Sequence, residues 1–250
     1  MSAATSGNNV RAYRSSPDFA ALHPGYEPQL AAAGSDHYGP ADMGTSPDNL
    51  EVIGKLYDSG HFAMPAAIAD IGCSQLSFPV DDKVVAFARR FGKAVPDGFR
   101  PLSYMGDLYR ALGFDYVSLD VADAPYVHRF DLNCDQVPHD LKGRFDLIIN
   151  AGTTEHVLNQ LNALKTIHDL AKPGGLIYSM FLINGFGPHG LLRYCERFVD
   201  LLAQANHYTT IHRETHQNVS SNLIGDWWDR CEWAVFKKTS DAPFNVVLDV

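Results

Sequence analysis

Short apolar runs that end in an acid or a small residue alternate along this chain with stretches whose apolar residues recur every three or four positions. The first kind reads as strands buried on both faces, because parallel strands covered by helices carry no polar alternation. The clearest is Ala66–Ser74, A-A-I-A-D-I-G-C-S, which stops at Asp70 and a glycine turn. Tyr116–Asp120, Val127–Asp131 and Phe145–Asn150 follow, and Leu176–Phe181, Tyr208–Ile211 and Trp233–Lys237 complete the set.

The second kind predicts helices. Ser46-Pro47-Asp48 is a helix start, with serine as cap, proline at the first helical position and an acid in the first turn. Leu50, Ile53 and Tyr57 then share a face. Val84, Phe87, Ala88 and Phe91 predict one helix between the first two strands, and Met105, Leu108, Tyr109 and Leu112 a second. A helix from about Thr154 to Ala171 would point Val157, Leu161, Leu164 and Ile167 inward and end at Lys172-Pro173-Gly174-Gly175. Leu191, Leu192, Cys195, Phe198, Val199 and Leu202 mark another. Strands alternating with helices predict an α/β fold with a doubly wound, mainly parallel, seven-stranded sheet.

Residues 1–45, rich in small residues, proline and asparagine, read as a flexible arm. Tyr13, Phe19, Tyr26 and Tyr38 would let that arm order as a lid. Residues 46–250 then form the folded domain, with a helical insertion near 78–113.

Composition narrows the partners. A net charge of -9 over 250 residues leaves no basic footprint, so nucleic acid is not expected. No apolar stretch is long enough to span a bilayer and no secretory pattern opens the chain, which predicts a cytoplasmic protein without a membrane partner. Cys73, Cys134, Cys195 and Cys231 form no C-x-x-C pair and read as free, mostly buried thiols. His212 and His216 have the spacing of two ligands on one helical face. Their segment, which also holds His207, does not read as helix and positions no third ligand, so no metal is assigned. His168 falls on an apolar helix face and reads as a core histidine.

Three strand ends carry acids in order, Asp70, Asp120 and Asp131. A carboxylate at a strand end suits the two hydroxyls of a ribose, and the series suggests an adenosine-containing cofactor. From Ala66 to Lys238 the chain resembles the class I S-adenosylmethionine-dependent methyltransferases. A-D-I-G-C-S is similar to that family's first motif, which implies Asp70, Gly72 and Cys73 beside the methionine end of the cofactor. S-L-D, ending at Asp120, resembles the ribose-binding segment. F-D-L-N, with Asp131 and Leu132, resembles the segment beside the adenine. F-D-L-I-I-N-A-G-T-T-E-H-V followed by L-A-K-P-G-G-L-I is the most specific match. It implies that Asn150, Gly152 and Glu155 shape the cofactor edge.

The resemblance implies methyl transfer from S-adenosylmethionine to oxygen or nitrogen of a small-molecule acceptor, by a monomer or homodimer. His156, after the fourth strand, and His189, in N-G-F-G-P-H-G after the fifth, are the candidate catalytic bases. Trp227, Trp228 and Trp233 with Tyr208 are candidates for an aromatic acceptor pocket or for core anchors. The chain departs from the family at Ser74 and Leu76, where glycines are expected. That departure motivates an alternative, a methyltransferase fold kept as a non-catalytic binding or scaffold protein.

Overall fold

The computed structural model describes residues 44–185, 189–222 and 225–247, with the side chains of 218–222 and 225–228 excluded. The arm or lid assigned to residues 1–45 lies almost wholly outside them.

Helix α1 (Pro47–Asp58) starts as its sequence dictates. Ser46 Oγ accepts the Asn49 backbone N–H, while Asn49 Oδ1 accepts the Ser46 N–H at 2.7 Å. This reciprocal cap satisfies two donors that a helix start leaves open. Asn49 also donates to the Tyr178 hydroxyl at 2.8 Å, which ties α1 to the sheet.

The chain continues through β1 (Ala67–Ile71), α2 (Asp82–Arg90), α3 (Met105–Ala111), β2 (Asp115–Asp120), β3 (Val127–Arg129) and β4 (Phe145–Asn150). A 3₁₀ turn (Thr154–His156) leads to α4 (Gln160–Leu170) and β5 (Ala171–Asn184). Then come α5 (Phe198–Ala205), β6 (Thr209–Asn222) and β7 (Gly225–Lys237). The sheet order is β3-β2-β1-β4-β5-β7-β6, and only β7 runs antiparallel to its neighbours.

Alternate residues of each central strand feed two cores, one per face. Ile68, Leu147, Ile149 and Tyr178 pack with α1, α2 and α3. Ala69, Ile71, Ile148 and Ile177 pack with α4 and α5. This is the doubly wound arrangement read from the alternation, and α2 and α3 both lie between β1 and β2. A single fully buried aliphatic or aromatic residue here contributes ~1.5–3 kcal/mol.

Four expectations need correction. The helix expected from Thr154 is broken, because Val157 is extended and Asn159 caps a new helix by accepting the Asn162 N–H. Leu161 therefore rotates outward and is 52% exposed. The helix expected from Leu191 starts only at Phe198. The N–H groups of Leu191 and Leu192 go to the Glu155 carbonyl and that of Tyr194 goes to Leu182, which ties this stretch to its neighbours as a loop. The cysteines are not mostly buried, since Cys134 and Cys195 are exposed, Cys73 is half-buried and only Cys231 is buried. The last two strands are also far longer than their apolar runs, because β6 and β7 pair as one hairpin over polar residues.

His168 is the core histidine expected. Its Nε2–H donates to the Ala242 carbonyl at 2.8 Å and Nδ1 accepts the Tyr208 hydroxyl at 2.6 Å, with burial holding its pKa low.

Candidate active site

The sheet order reverses between β1 and β4, since the chain leaves β1 for β2 on one side and returns to β4 on the other. Ligands of open α/β sheets bind outside the carboxyl ends of the strands at such a reversal. The residues gathered there are those of the acid-bearing strand ends.

Gly72 turns the chain out of β1 at φ +90, a conformation L side chains rarely adopt. Its N–H donates to Leu119 of β2, and Thr153, from beyond β4, donates its hydroxyl to the Ile71 carbonyl at 2.6 Å. A Cβ at residue 72 would meet Thr153 Oγ1 at 2.5 Å. Gly72→Ala is therefore expected to destabilise the fold by ~1–3 kcal/mol, the cost of a strained backbone. A urea midpoint unchanged by the substitution would show that the turn relaxes freely.

Asp120 is half-buried at the end of β2. One carboxylate oxygen accepts the Cys73 N–H at 2.7 Å and the other the Ala122 N–H at 2.8 Å. A carboxylate has about four lone-pair sites. The group is thus held in place with acceptor capacity left over. Cys73, beside it, has its thiol pKa raised by burial and then by the nearby acids Asp120 and Asp70.

Asp70 stands near the end of β1, inside the core. It is wholly buried at 0% exposure and accepts the Tyr116 hydroxyl at 2.9 Å. Burial pushes its pKa up to about 7, while the Ser74 and Tyr116 hydrogen bonds oppose the rise. Asp70 thus sits beneath the turn, within the core on the α1–α3 face. Tyr116 carries no sequence signal for this role beyond its place one strand away in register with Ile68.

Asp131 accepts the backbone N–H of Asn133 at 2.8 Å, which holds its pKa low. Asn162 of α4 clamps the same turn by donating to the Leu132 and Asp135 carbonyls. Leu132 is 6% exposed and packs inward with Phe130 and Leu141. Asn150 is also wholly buried, donating to Thr154 and Ser179 and accepting the Thr154 N–H. Leu132 and Asn150 therefore support the strand ends from inside. Gly152, at φ +88, opens the loop that leads to Glu155.

His156 and His189 come together, with ring centroids 4.6 Å apart and planes nearly perpendicular. The protein crowds the His156 ring and lowers its pKa, the Glu155 carboxylate opposes this, and His189 and Arg193 add to it. The Glu155 carbonyl, holding Leu191 and Leu192, locks the two loops together. A cavity of about 620 Å³ opens between the start of α1, the Phe78–Lys83 loop and the ends of β5 and β7. Phe78, Met180, Leu182, His216, Cys231 and Trp233 line it, and the His216 ring lies 3.8 Å from that of Trp233. Tyr208 is not there, since it bonds His168 on the opposite face. The side chains of Trp227 and Trp228 lie outside the described residues.

The stretch after Gly72 is a seam rather than an open loop. Leu76, 0% exposed, exchanges backbone bonds with Ser103 and Leu102. Gln75 and Ser77 bond Thr45, and Ser74 accepts the Met105 N–H. The side chain found where the family pattern has glycine is core packing on the α1–α3 face.

A family described as "Methyltransferase domain" matches residues 65–234. Among solved structures, the chain is similar to the Burkholderia thailandensis 1,6-didemethyltoxoflavin-N1-methyltransferase, at 15% identity over 78% of each chain, with a TM-score of 0.43. It is similar to TehB from Haemophilus influenzae at 12% identity, over 74% of this chain and 62% of that one, TM-score 0.48. An Aquifex aeolicus SAM-dependent methyltransferase shares 13% identity over 77% and 98% of the two chains, TM-score 0.42. No curated protein matches. The family match spans the first strand, the reversal point and the fifth strand, so the chain belongs to the S-adenosylmethionine-dependent methyltransferases, with S-adenosylmethionine as its cofactor.

Proposed function

We propose that the protein transfers a methyl group to oxygen or nitrogen of a small molecule held in the cavity beside β5 and β7. The single observation that carries this reading is the cavity itself. Its volume of about 620 Å³ falls within the ~300–1,000 Å³ of small-ligand sites, and its lining is mainly apolar and aromatic with a few polar groups. Trp233 and Phe78 suit a flat or apolar acceptor.

The strand-end residues fit the cofactor. Asp120 keeps free lone pairs for ribose hydroxyls while two backbone N–H groups fix its orientation. Gly72 and Cys73 bring backbone close to the methionine end, and Asp131 stands at the adenine end. When bound, S-adenosylmethionine supplies a methyl group on a positively charged sulfur. The protein's part is to align an acceptor atom with that group and to exclude water, and positioning of this kind accounts for most of such an acceleration. His156 and His189, in the loops that follow β4 and β5, are the imidazoles proposed to take the proton an oxygen or nitrogen acceptor loses.

Two measurements test this. Titration calorimetry with S-adenosylhomocysteine is expected to show one site per chain. Extract metabolites supplied with labelled S-adenosylmethionine are expected to yield a labelled small molecule. Label found only in protein or nucleic acid would refute the small-molecule reading.

A further inference from the structure

We propose that Glu155, His156 and His189 form a binding site for one divalent metal ion at the acceptor end of the methyltransferase fold. One carboxylate oxygen of Glu155 and one ring nitrogen from each histidine all lie within 4.8 Å of one another. This is the one such cluster of three among the described residues. His189 Nε2 stands 3.5 Å from Glu155 Oε1. Two ligands about 2.1 Å from a shared ion at a tetrahedral angle stand about 3.4 Å apart, so the pair already has the spacing of two ligands on one metal.

Glu155 supplies an independent observation. Its side chain is 1% exposed, and among the described residues neither carboxylate oxygen has a hydrogen-bond donor. A buried carboxylate without donors is strongly disfavoured unless a cation neutralises it. Arg193 directs Nε to the Gly185 carbonyl and Nη1 to the Leu192 carbonyl. His189, if protonated, would be the alternative partner at 3.5 Å.

The backbone holds the three ligands where they are. Glu155 and His156 belong to the 3₁₀ turn, and the Leu191 and Leu192 N–H groups draw the His189 loop onto it at 2.8 and 3.1 Å. Gly190 follows His189 at φ +73, where a Cβ would meet Glu155 Cγ at 2.9 Å. The loop closes on Glu155 only with glycine there.

One carboxylate and two imidazoles suit zinc, manganese or cobalt rather than calcium or magnesium. Three protein ligands leave a position open for water or for an oxygen of the acceptor. Metal binding stands on the ligand geometry alone. Only the placing of the ion beside the acceptor rests on the methyl-transfer reading.

The test is equilibrium dialysis of the full chain against micromolar Zn²⁺, repeated with Co²⁺ to read the absorption of the bound ion. One metal per chain is expected. His156→Asn and His189→Asn should each weaken binding by at least about tenfold, the scale seen even for outer-shell changes. His139→Asn, an exposed histidine elsewhere, should leave binding unchanged. Labelling of the unsubstituted protein with diethyl pyrocarbonate, mapped by mass spectrometry, checks the site without any variant. Bound Zn²⁺ should protect His156 and His189 and leave His139 reactive. A wild-type chain that binds no metal, or full binding by both histidine variants, or no protection, overturns the proposal. S-adenosylhomocysteine titration of the same preparation separates the two readings, since loss of metal binding alone leaves cofactor binding intact.

Discussion

Asp120→Ala is expected to weaken S-adenosylhomocysteine binding by roughly 10²–10⁴-fold while the chain stays folded. Two ribose hydrogen bonds to a charged acceptor are worth ~1.5–3 kcal/mol each, about 3–6 kcal/mol together, and each 1.4 kcal/mol is tenfold in affinity. The same carboxylate also fixes the Cys73 and Ala122 N–H groups. The substitution therefore loosens the turn as well as removing the acceptor. Asp120→Asn is the milder change, because its amide oxygen keeps one of the two backbone N–H groups and some acceptor capacity while its amide nitrogen gives up the other. Calorimetry at constant ionic strength measures both variants. Unchanged affinity in a folded Asp120→Ala protein would place the ribose elsewhere.

The second large effect concerns Asp70 and stability. Its carboxyl is wholly buried and has its pKa raised from 3.8 to about 7. Between those values the folded chain keeps a proton that the unfolded chain releases, so stability falls as pH rises through that window. A shift of about 3 units at 1.36 kcal/mol per unit corresponds to a loss on the order of 4 kcal/mol by pH 8. Asp70→Asn removes that dependence while its amide oxygen still accepts the Tyr116 hydroxyl. The variant should be more stable than wild type at pH 8 and close to it at pH 4. Urea unfolding across that range checks the sign, and a wild type that gains on the variant with rising pH would contradict it.

Much of the framework was legible because burial on both faces leaves an unmistakable run. A-I-A-D-I, Y-V-S-L-D and F-D-L-I-I-N each became a central strand. Ser46-Pro47-Asp48 specified a helix start through local hydrogen bonding alone. Where tertiary bonds claim the backbone, the pattern misleads. Leu191, Leu192 and Cys195 have helical spacing, yet backbone bonds to Glu155 and Leu182 tie this stretch to its neighbours as a loop. Val157 and Leu161 continue a periodicity that Asn159 interrupts by capping. The acid near each strand end was legible in the sequence, but its exposure was not. Asp120 is half open while Asp70 is sealed by Tyr116, a difference that depends on a neighbour 46 residues away. The adjacency of Glu155 to His156 was visible in the sequence, but the return of His189 to the same point required the fold.

The seam that joins Ser74–Ser77 to Thr45 and to Leu102–Met105 has a consequence for how a ligand is received. The backbone donors and acceptors of this stretch are already engaged with neighbouring segments, and Leu76 is anchored in the core. A glycine-rich loop surrenders conformational freedom when it wraps a ligand, and that loss subtracts from affinity. Here the ordering takes place during folding, so a ligand reaching this edge would meet a preset surface that selects by shape rather than by adaptation.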